Sequence, residues 1–325
     1  MKIAVVGLGA VGGLLAGRLA AGGHTVCALA RGTTLTALRE QGLRIVSKGQ
    51  PDQVTNIEAS DDARRLGEQD LVIIALKGPA LAAAAEGMQA LLGTDTMVMP
   101  AMNGVPWWFL QAGSGNGQRL ASIDPDGRIE AALPLEKVLG CVVHLTCASP
   151  QPAVVQHGFG DRLIVGEPGG GSSARVTAVC SALASAGFKA EASTNIRHDI
   201  WFKLWGNMTM NPVSALTGAT TDHILDDPLV RGFILRAMAE AAQIGARVGC
   251  PIAQSGEERL AVTRELGGFK TSMLQDTLAG RPLELDALVS AVHEIGTLMQ
   301  VDMPNIAALL GLARLMARER GLYPA

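Results

Sequence analysis

The chain has 325 residues, enough for about two domains and a sizeable core. Hydrophobic residues make up 48% and charged residues 18%, which excludes intrinsic disorder; aromatics are only 3%, so the core is built mainly from Ala, Val, Leu, Ile and Met. A net charge of −3 with no basic cluster gives no electrostatic footprint for nucleic acid, and no basic amphipathic stretch suits a membrane surface.

Residues 2–6 read as a buried strand, Val11–Ala21 as a helix ended by Gly22-Gly23, and His24–Ala30 as a second strand. A strand–turn–helix–strand unit of about thirty residues is the size of a βαβ unit. Further strands are expected at Leu43–Ser47, Leu71–Leu76 and Thr96–Met99, with helices at Thr34–Gln41 and Pro79–Leu92 between them. This alternation indicates an open, mostly parallel, doubly wound α/β sheet. Residues 107–135, with Gly-Ser-Gly-Asn-Gly and Asp-Pro-Asp-Gly, read as a loop or hairpin decorating the N-terminal domain. Val138–Thr146, Ala153–His157 and Arg162–Val165 are short β-rich runs, expected to add antiparallel strands to the same sheet, and Glu167–Ser173 reads as a flexible loop. Helical spacing then runs through 196–210, 228–249, 255–266, 285–300 and 304–320. The expected division is a Rossmann-type domain at 1–194 followed by an all-helical domain at 195–325.

The five cysteines, at 27, 141, 147, 180 and 250, are odd in number and lack CxxC spacing, which reads as free thiols in a reducing compartment. The apolar start, Ile3–Val6, is too short for a signal sequence and no run of spanning length follows, so the expected location is the cytoplasm. The six histidines show neither HxxxH nor HExxH spacing and no GxSxG elbow occurs, which argues against a metal enzyme and a serine hydrolase.

The turn Gly7-Leu8-Gly9-Ala10-Val11-Gly12 follows a strand and opens a helix, the context in which GxGxxG signals a dinucleotide. Gly7 permits the tight turn, Gly9 lets a pyrophosphate approach the backbone, and Gly12 lets the helix pack closely on the strand. The helix N-terminus then offers N–H groups and partial positive charge to the phosphates. The second strand ends in Ala28-Leu29-Ala30-Arg31, with Arg31 nineteen residues after Gly12. An NAD site usually has Asp or Glu at this strand end for the ribose 2′-OH, whereas a guanidinium pairs with a 2′-phosphate, so NADP (as NADPH) is the expected cofactor. Lys77 and Asn103 each follow a strand, at the edge where ligands sit in such sheets.

Lys203, Asn207 and Asn211 recur at i, i+4 and i+8 among Trp201, Phe202, Leu204, Trp205 and Met208. On a helix they form one polar stripe in apolar surroundings, where buried polar groups need partners that a substrate can supply. Pro212 predicts a kink or stop at Asn211. A lysine suits ketone reduction, because its ammonium stabilises the developing alkoxide and can donate the proton, while neutral amides orient the substrate. Ser272 and Glu284 lie in Lys270–Asp276 and Arg281–Asp286, which by composition alone would be an unremarkable helix–turn–helix.

With these residues assembled, the chain resembles the ketopantoate reductases (2-dehydropantoate 2-reductases) over nearly its whole length. The likeness is carried by GxGxxG, Lys77, Asn103-Gly104, Gly166-Glu-Pro168, Lys203…Asn207…Asn211-Pro212, Ser272–Asp276 and Glu284–Asp286. It implies a Rossmann domain and a helical domain with the active site between them. It also implies Lys203 as the catalytic lysine, Glu284 as the active-site glutamate, and Asn103, Asn207, Asn211 and Ser272 as substrate-binding residues. Gly7–Gly12, Arg31, Lys77, Asn103 and Glu284 are implied to contact NADP. The implied reaction reduces 2-dehydropantoate, a small 2-oxo acid, to (R)-pantoate on the way to pantothenate and coenzyme A. A homodimer is the expectation from the family and from the apolar, Met-rich C-terminal helices. Three departures bear on the substrate: Ala80 and Thr221 stand where the family commonly has Gln and Asn, and the segment 106–135 is longer than in compact members. A paralogous reductase of another 2-oxo acid therefore stands as an alternative. A non-catalytic NADP-binding sensor is a third reading, against which the retained Lys203 and Glu284 argue.

Overall fold

The computed structural model describes residues 1–113 and 117–324, so most of the Gly-Ser-Gly-Asn-Gly motif lies outside the described residues. The chain divides into two compact units, one formed by 1–102 with 126–199 and the other by 103–125 with 200–325.

The first unit contains, in order, β1 (Lys2–Val6), α1 (Ala10–Ala21), β2 (Thr25–Leu29), α2 (Gly32–Gln41), β3 (Leu43–Ser47), β4 (Gln53–Thr55), β5 (Glu58–Ser60), α3 (Ala63–Leu66), β6 (Gln69–Ile74), α4 (Gly78–Ala85), β7 (Leu92–Pro100), α5 (Arg128–Ala132), β8 (Gly140–His144), β9 (Cys147–Gln151), β10 (Val154–His157), β11 (Arg162–Gly166), α6 (Ala174–Ser185) and β12 (Lys189–Ser193). Five strands form a parallel sheet in the order β5-β2-β1-β6-β7. The order reverses between β1 and β6, the switch point that opens a crevice at the carboxyl ends of strands in doubly wound sheets. Ile3, Val5, Leu71 and Ile73 are fully buried at its centre, as expected for strands covered on both faces.

The β-rich runs after residue 138 do not extend this sheet. They form two further sheets, β4-β3-β10-β9 and β12-β11-β8, and β3 pairs in parallel with β10 rather than joining the first sheet. A Val98–Val138 bridge connects β7 to the residues leading into β8. The second sheet covers a second apolar face of α1, where Gly13 and Gly17 stand against Val155 and Ile45. Glu167, expected in a flexible loop, is pinned. Its carboxylate accepts from Arg175 Nε at 2.7 Å and from Ser173 Oγ at 2.5 Å, while Arg175 also reaches the Glu136 and Val138 carbonyls.

The second unit holds α7 (Ile196–Thr217, which begins in the first unit), α8 (Thr221–Asp226), α9 (Pro228–Arg247), α10 (Gly256–Glu265), α11 (Ser272–Leu278), a π-helical turn at Asp286–Ser290, α12 (Ala291–Leu298) and α13 (Pro304–Glu319). All four tryptophans lie here. Trp201 stacks on Phe109 at 5.7 Å and donates to the Ala241 carbonyl; Trp205 donates to that of Met238. This packing explains why residues 103–125 belong to the helical unit and do not decorate the N-terminal one. Trp107, Trp108, Phe109 and Leu110 are buried, and Glu294 accepts from the Ala121 and Ser122 N–H groups. Of the kink or stop expected at Pro212, the stop does not occur: helix α7 continues through it to Thr217. Proline forfeits one helical hydrogen bond and crowds the preceding turn, but every residue from Met208 to Ala215 is buried, and that packing holds the helix.

Among the described residues, no helix is long and apolar enough to cross a membrane. All five cysteines are free thiols, with Cys27, Cys141 and Cys250 buried.

Candidate functional site

In the first unit, the turn between β1 and α1 is shaped by its glycines. Gly7 has φ +91°, and a Cβ there would stand 2.8 Å from the Ala75 carbonyl oxygen; a Cβ on Gly12 would stand 1.9 Å from the Gly7 carbonyl oxygen. Gly9 faces open space. It is the N-cap of α1, no side chain caps the helix, and the first turn carries no acid. The first-turn N–H groups and the positive end of the helix dipole are thus left to an anion. Gly7, Leu8 and Gly9 line a cleft of about 550 Å³, together with Leu29, Ala30, Arg31 and Thr34. The backbone cradle, its open face and this cleft fit a dinucleotide.

Arg31 is exposed at the N-cap of α2, on the wall of this cleft. Lys77 is half-buried at the N-cap of α4, whose Ala83 and Ala84 line another part of the cleft; Lys77 itself is not among the lining residues. Sequence reasoning missed two features of this cleft. Asp61, directly after β5, places a carboxylate on the same cleft as Arg31, and Ser149–Pro152 close one side of it. The strand that delivers Asp61 is only three residues long, too short for an alternation signal, and nothing in the chain couples it to Arg31, thirty residues earlier.

The second unit brings together residues a hundred positions apart. Lys203 Nζ donates to Asn103 Oδ1 at 2.7 Å. Both side chains are half-buried, as is Asn207, and Asn211 is buried. Because α7 does not stop at Pro212, the three residues remain on one helix as a single stripe. Trp201, Leu204, Trp205 and Met208 are buried around them, so the stripe is no ordinary solvated face. The Asn103 turn is fixed by its neighbour. Gly104 has φ +86°, a Cβ on it would stand 2.5 Å from the Ala287 carbonyl oxygen, and that oxygen accepts from the Val105 N–H at 2.8 Å. The turn therefore rests on the π-helical segment Asp286–Ser290, two residues beyond Glu284, which is half-buried. Ser272 is the exposed first residue of α11, behind the Thr271 cap. Thr221 is buried, and its hydroxyl is engaged with the Gly267 carbonyl and the Phe269 N–H.

An ammonium held at 2.7 Å by a neutral amide oxygen is directed, which suits donation of a proton to a developing alkoxide. Taken together with the open glycine cradle of the first unit, it defines the class: a nicotinamide-dependent oxidoreductase with a Rossmann-type unit and a helical unit. The family model described as ketopantoate reductase PanE/ApbA matches residues 3–170, and its C-terminal counterpart matches residues 195–317. The chain belongs to the ketopantoate reductase family. It is 41% identical over 326 residues to a 2-dehydropantoate 2-reductase of Mesorhizobium japonicum, covering 99% of this chain and all of the relative. A crystal structure from Ralstonia solanacearum MolK2, described as a candidate ketopantoate reductase, shares 57% identity with a TM-score of 0.96 over 99% of each chain. A D-mandelate dehydrogenase structure with NADH and anilino(oxo)acetate has a TM-score of 0.86 at 21% identity, covering 99% of this chain and 100% of that one, which shows a shared fold only.

Proposed function

We propose that this protein reduces 2-dehydropantoate to (R)-pantoate with NADPH. The observation that carries the reading is the Lys203–Asn103 hydrogen bond on the half-buried stripe of α7; the full-length reductase relative supports it. When bound, the reduced nicotinamide supplies the hydride for the ketone carbon. Lys203 Nζ donates its proton to the ketone oxygen as that oxygen gains charge, so the product is the neutral hydroxyl. Asn103 Oδ1 keeps the ammonium directed, Asn207 and Asn211 supply amides along the same face, and Ser272 offers a hydroxyl to the substrate. Glu284 offers a carboxylate, both to the substrate and to the cofactor. In the cofactor cleft, Gly7–Gly12 hold the pyrophosphate and Arg31 takes the 2′-phosphate; the family resemblance adds Lys77 and Asn103 as cofactor contacts. Asp61 on the same cleft would favour an unphosphorylated ribose, so the preference for NADPH rests on Arg31.

The buried Thr221 favours a second reading, a reductase of a different 2-oxo acid. Where the family commonly has Asn, this hydroxyl is committed to the Gly267–Phe269 backbone and has little left to offer a substrate.

NADPH oxidation against a panel of 2-oxo acids, with wild type and Lys203→Ala, tests both readings. Wild type is expected to turn over 2-dehydropantoate, and Lys203→Ala to lose roughly 10²–10⁴-fold in kcat. Turnover of another acid alone selects the second reading. Absence of turnover with every acid removes the reductase assignment, and undiminished activity in Lys203→Ala removes the mechanism.

A further inference from the structure

Arg259 sits in α10 and reaches across to α7. Its guanidinium carbon lies 5.6 Å from the centre of the Phe202 ring, and its Nε and Nη2 atoms are each 3.1 Å from where a Cβ on Gly206 would be. The residue is half-buried, and Nε is sealed from solvent without a hydrogen-bond partner. Other arginines of the same unit are paired: Arg231 with Glu257, Arg264 with Asp226 and Arg281 with Asp276. The guanidinium of Arg259 has no carboxylate among the described residues. The nearby acids of α10 are engaged elsewhere, Glu257 on Arg231 and Glu258 on Ser255. Burial alone pulls the Arg259 pKa below the usual arginine range, with no anion acting to restore it. A partly desolvated, uncompensated cation is costly to keep, and an anionic ligand would relieve the cost.

The position of this cation gives it a use. Phe202 and Gly206, which it overlies, immediately precede Lys203 and Asn207 in α7. One residue is about 100° of rotation and 1.5 Å of rise on a helix. The guanidinium therefore occupies the strip of α7 next to the one that carries Lys203 and Asn207. Gly206 makes this approach possible, because any side chain there would compete with Arg259 for the space. A 2-oxo acid carries a carboxylate bonded directly to its ketone carbon, a group that a cation next to the Lys203 stripe would hold. The planar fork of an arginine matches a carboxylate.

We propose that Arg259 is a substrate-binding residue whose guanidinium takes the carboxylate of the 2-oxo acid reduced at Lys203. This rests on the reductase reading above. It makes Arg259 the group that separates 2-oxo acids from neutral ketones of the same shape.

The test uses the full chain with Arg259→Gln and Arg259→Lys. The substrates are the best 2-oxo acid of the panel and its methyl ester, at saturating NADPH. For Arg259→Gln, KM for the acid should rise at least about tenfold, the scale of a lost hydrogen bond to a charged group, and by more than kcat falls. The wild-type preference for acid over ester should collapse, and Arg259→Lys should restore part of it. Without ligand, Arg259→Gln should melt at or above the wild-type temperature, because an uncompensated charge has been removed. A purely structural arginine predicts the reverse: a lower melting temperature, with KM and the acid-to-ester ratio unchanged. That outcome overturns the proposal while wild-type turnover still supports the reductase reading. A wild type that reduces no 2-oxo acid overturns both.

Discussion

Replacing Gly104 by alanine tests how the helical unit positions Asn103. The first cost is conformational: at φ +86° an alanine is in the left-handed region, worth about 1–2 kcal/mol. The second is steric. The new Cβ would stand 2.5–2.6 Å from the carbonyl oxygen, carbonyl carbon and Cβ of Ala287, roughly 1 Å inside ordinary contact. These are largely backbone atoms of a π-helical turn, so no side-chain rotation relieves the overlap, and overpacking of this kind costs about 1–3 kcal/mol. The combined destabilisation is about 2–5 kcal/mol, and at ~2–4 °C per kcal/mol the second unit should melt roughly 5 °C or more below wild type. The activity effect follows from adjacency. If the turn backs away by about 1 Å, Asn103 moves with it and the 2.7 Å bond to Lys203 is lost, for which a fall of about 10² in kcat/KM is expected. Differential scanning fluorimetry and the NADPH-oxidation assay read both effects. Gly232→Ala in the second turn of α9 is the control, since its Cβ would meet only the Arg236 guanidinium at 3.5 Å; it should hold or raise the melting temperature. A Gly104→Ala protein that melts with wild type and retains its kcat/KM would refute the assigned role of this turn.

Arg31→Ala should weaken NADPH about 10–100-fold while changing NADH little, because only the 2′-phosphate loses a charge-assisted partner; equal losses in fluorescence titrations with the two cofactors would remove the NADPH assignment. Asp61→Asn should shift the balance the opposite way, tightening NADPH by a few-fold on the same titration, since Asp61 lines the same cleft. The Glu167–Arg175 pair gives a pH signature. Hydrogen bonds from Arg175, and then from Ser173, hold the Glu167 carboxyl below its ordinary range despite burial. Its contribution is therefore complete above the unfolded pKa of about 4.3 and is lost as pH falls through the lower folded value. Glu167→Gln should cost about 2 kcal/mol at pH 7, with the difference from wild type shrinking below about pH 4 in urea melts. A gap independent of pH would show that the charge is not what stabilises this loop.

Much of the first unit was legible because its signals are local. The βαβ start, the glycine turn and Arg31 lie within 31 consecutive residues, and the buried parallel strands announce themselves as apolar runs. The pairing of the remaining strands was not legible. Strand β3 reads as one more member of an alternating series, yet it joins β10 because α1 is apolar on its outer face and must be covered there. The strands β4 and β5 have three residues each, too few for a period-two pattern. Helix α6, at Ala174–Ser185, follows a glycine-rich loop whose anchoring by Glu167 and Arg175 depends on residues 136–138, out of reach of a local pattern.

By itself, the sequence determined that a dinucleotide cradle opens the chain and that Lys203, Asn207 and Asn211 share one face of a helix. Helical periodicity and glycine stereochemistry need only neighbours within a few turns. The tertiary structure alone decided which distant groups complete that face. Packing of Trp107–Leu110 against α7 draws residues 103–125 into the helical unit and sets Asn103 on Lys203. The same packing carries α7 on through Pro212, and α10 lays Arg259 over Phe202 beside the stripe. Burial of large apolar side chains acts between segments a hundred residues apart, and no local pattern encodes it.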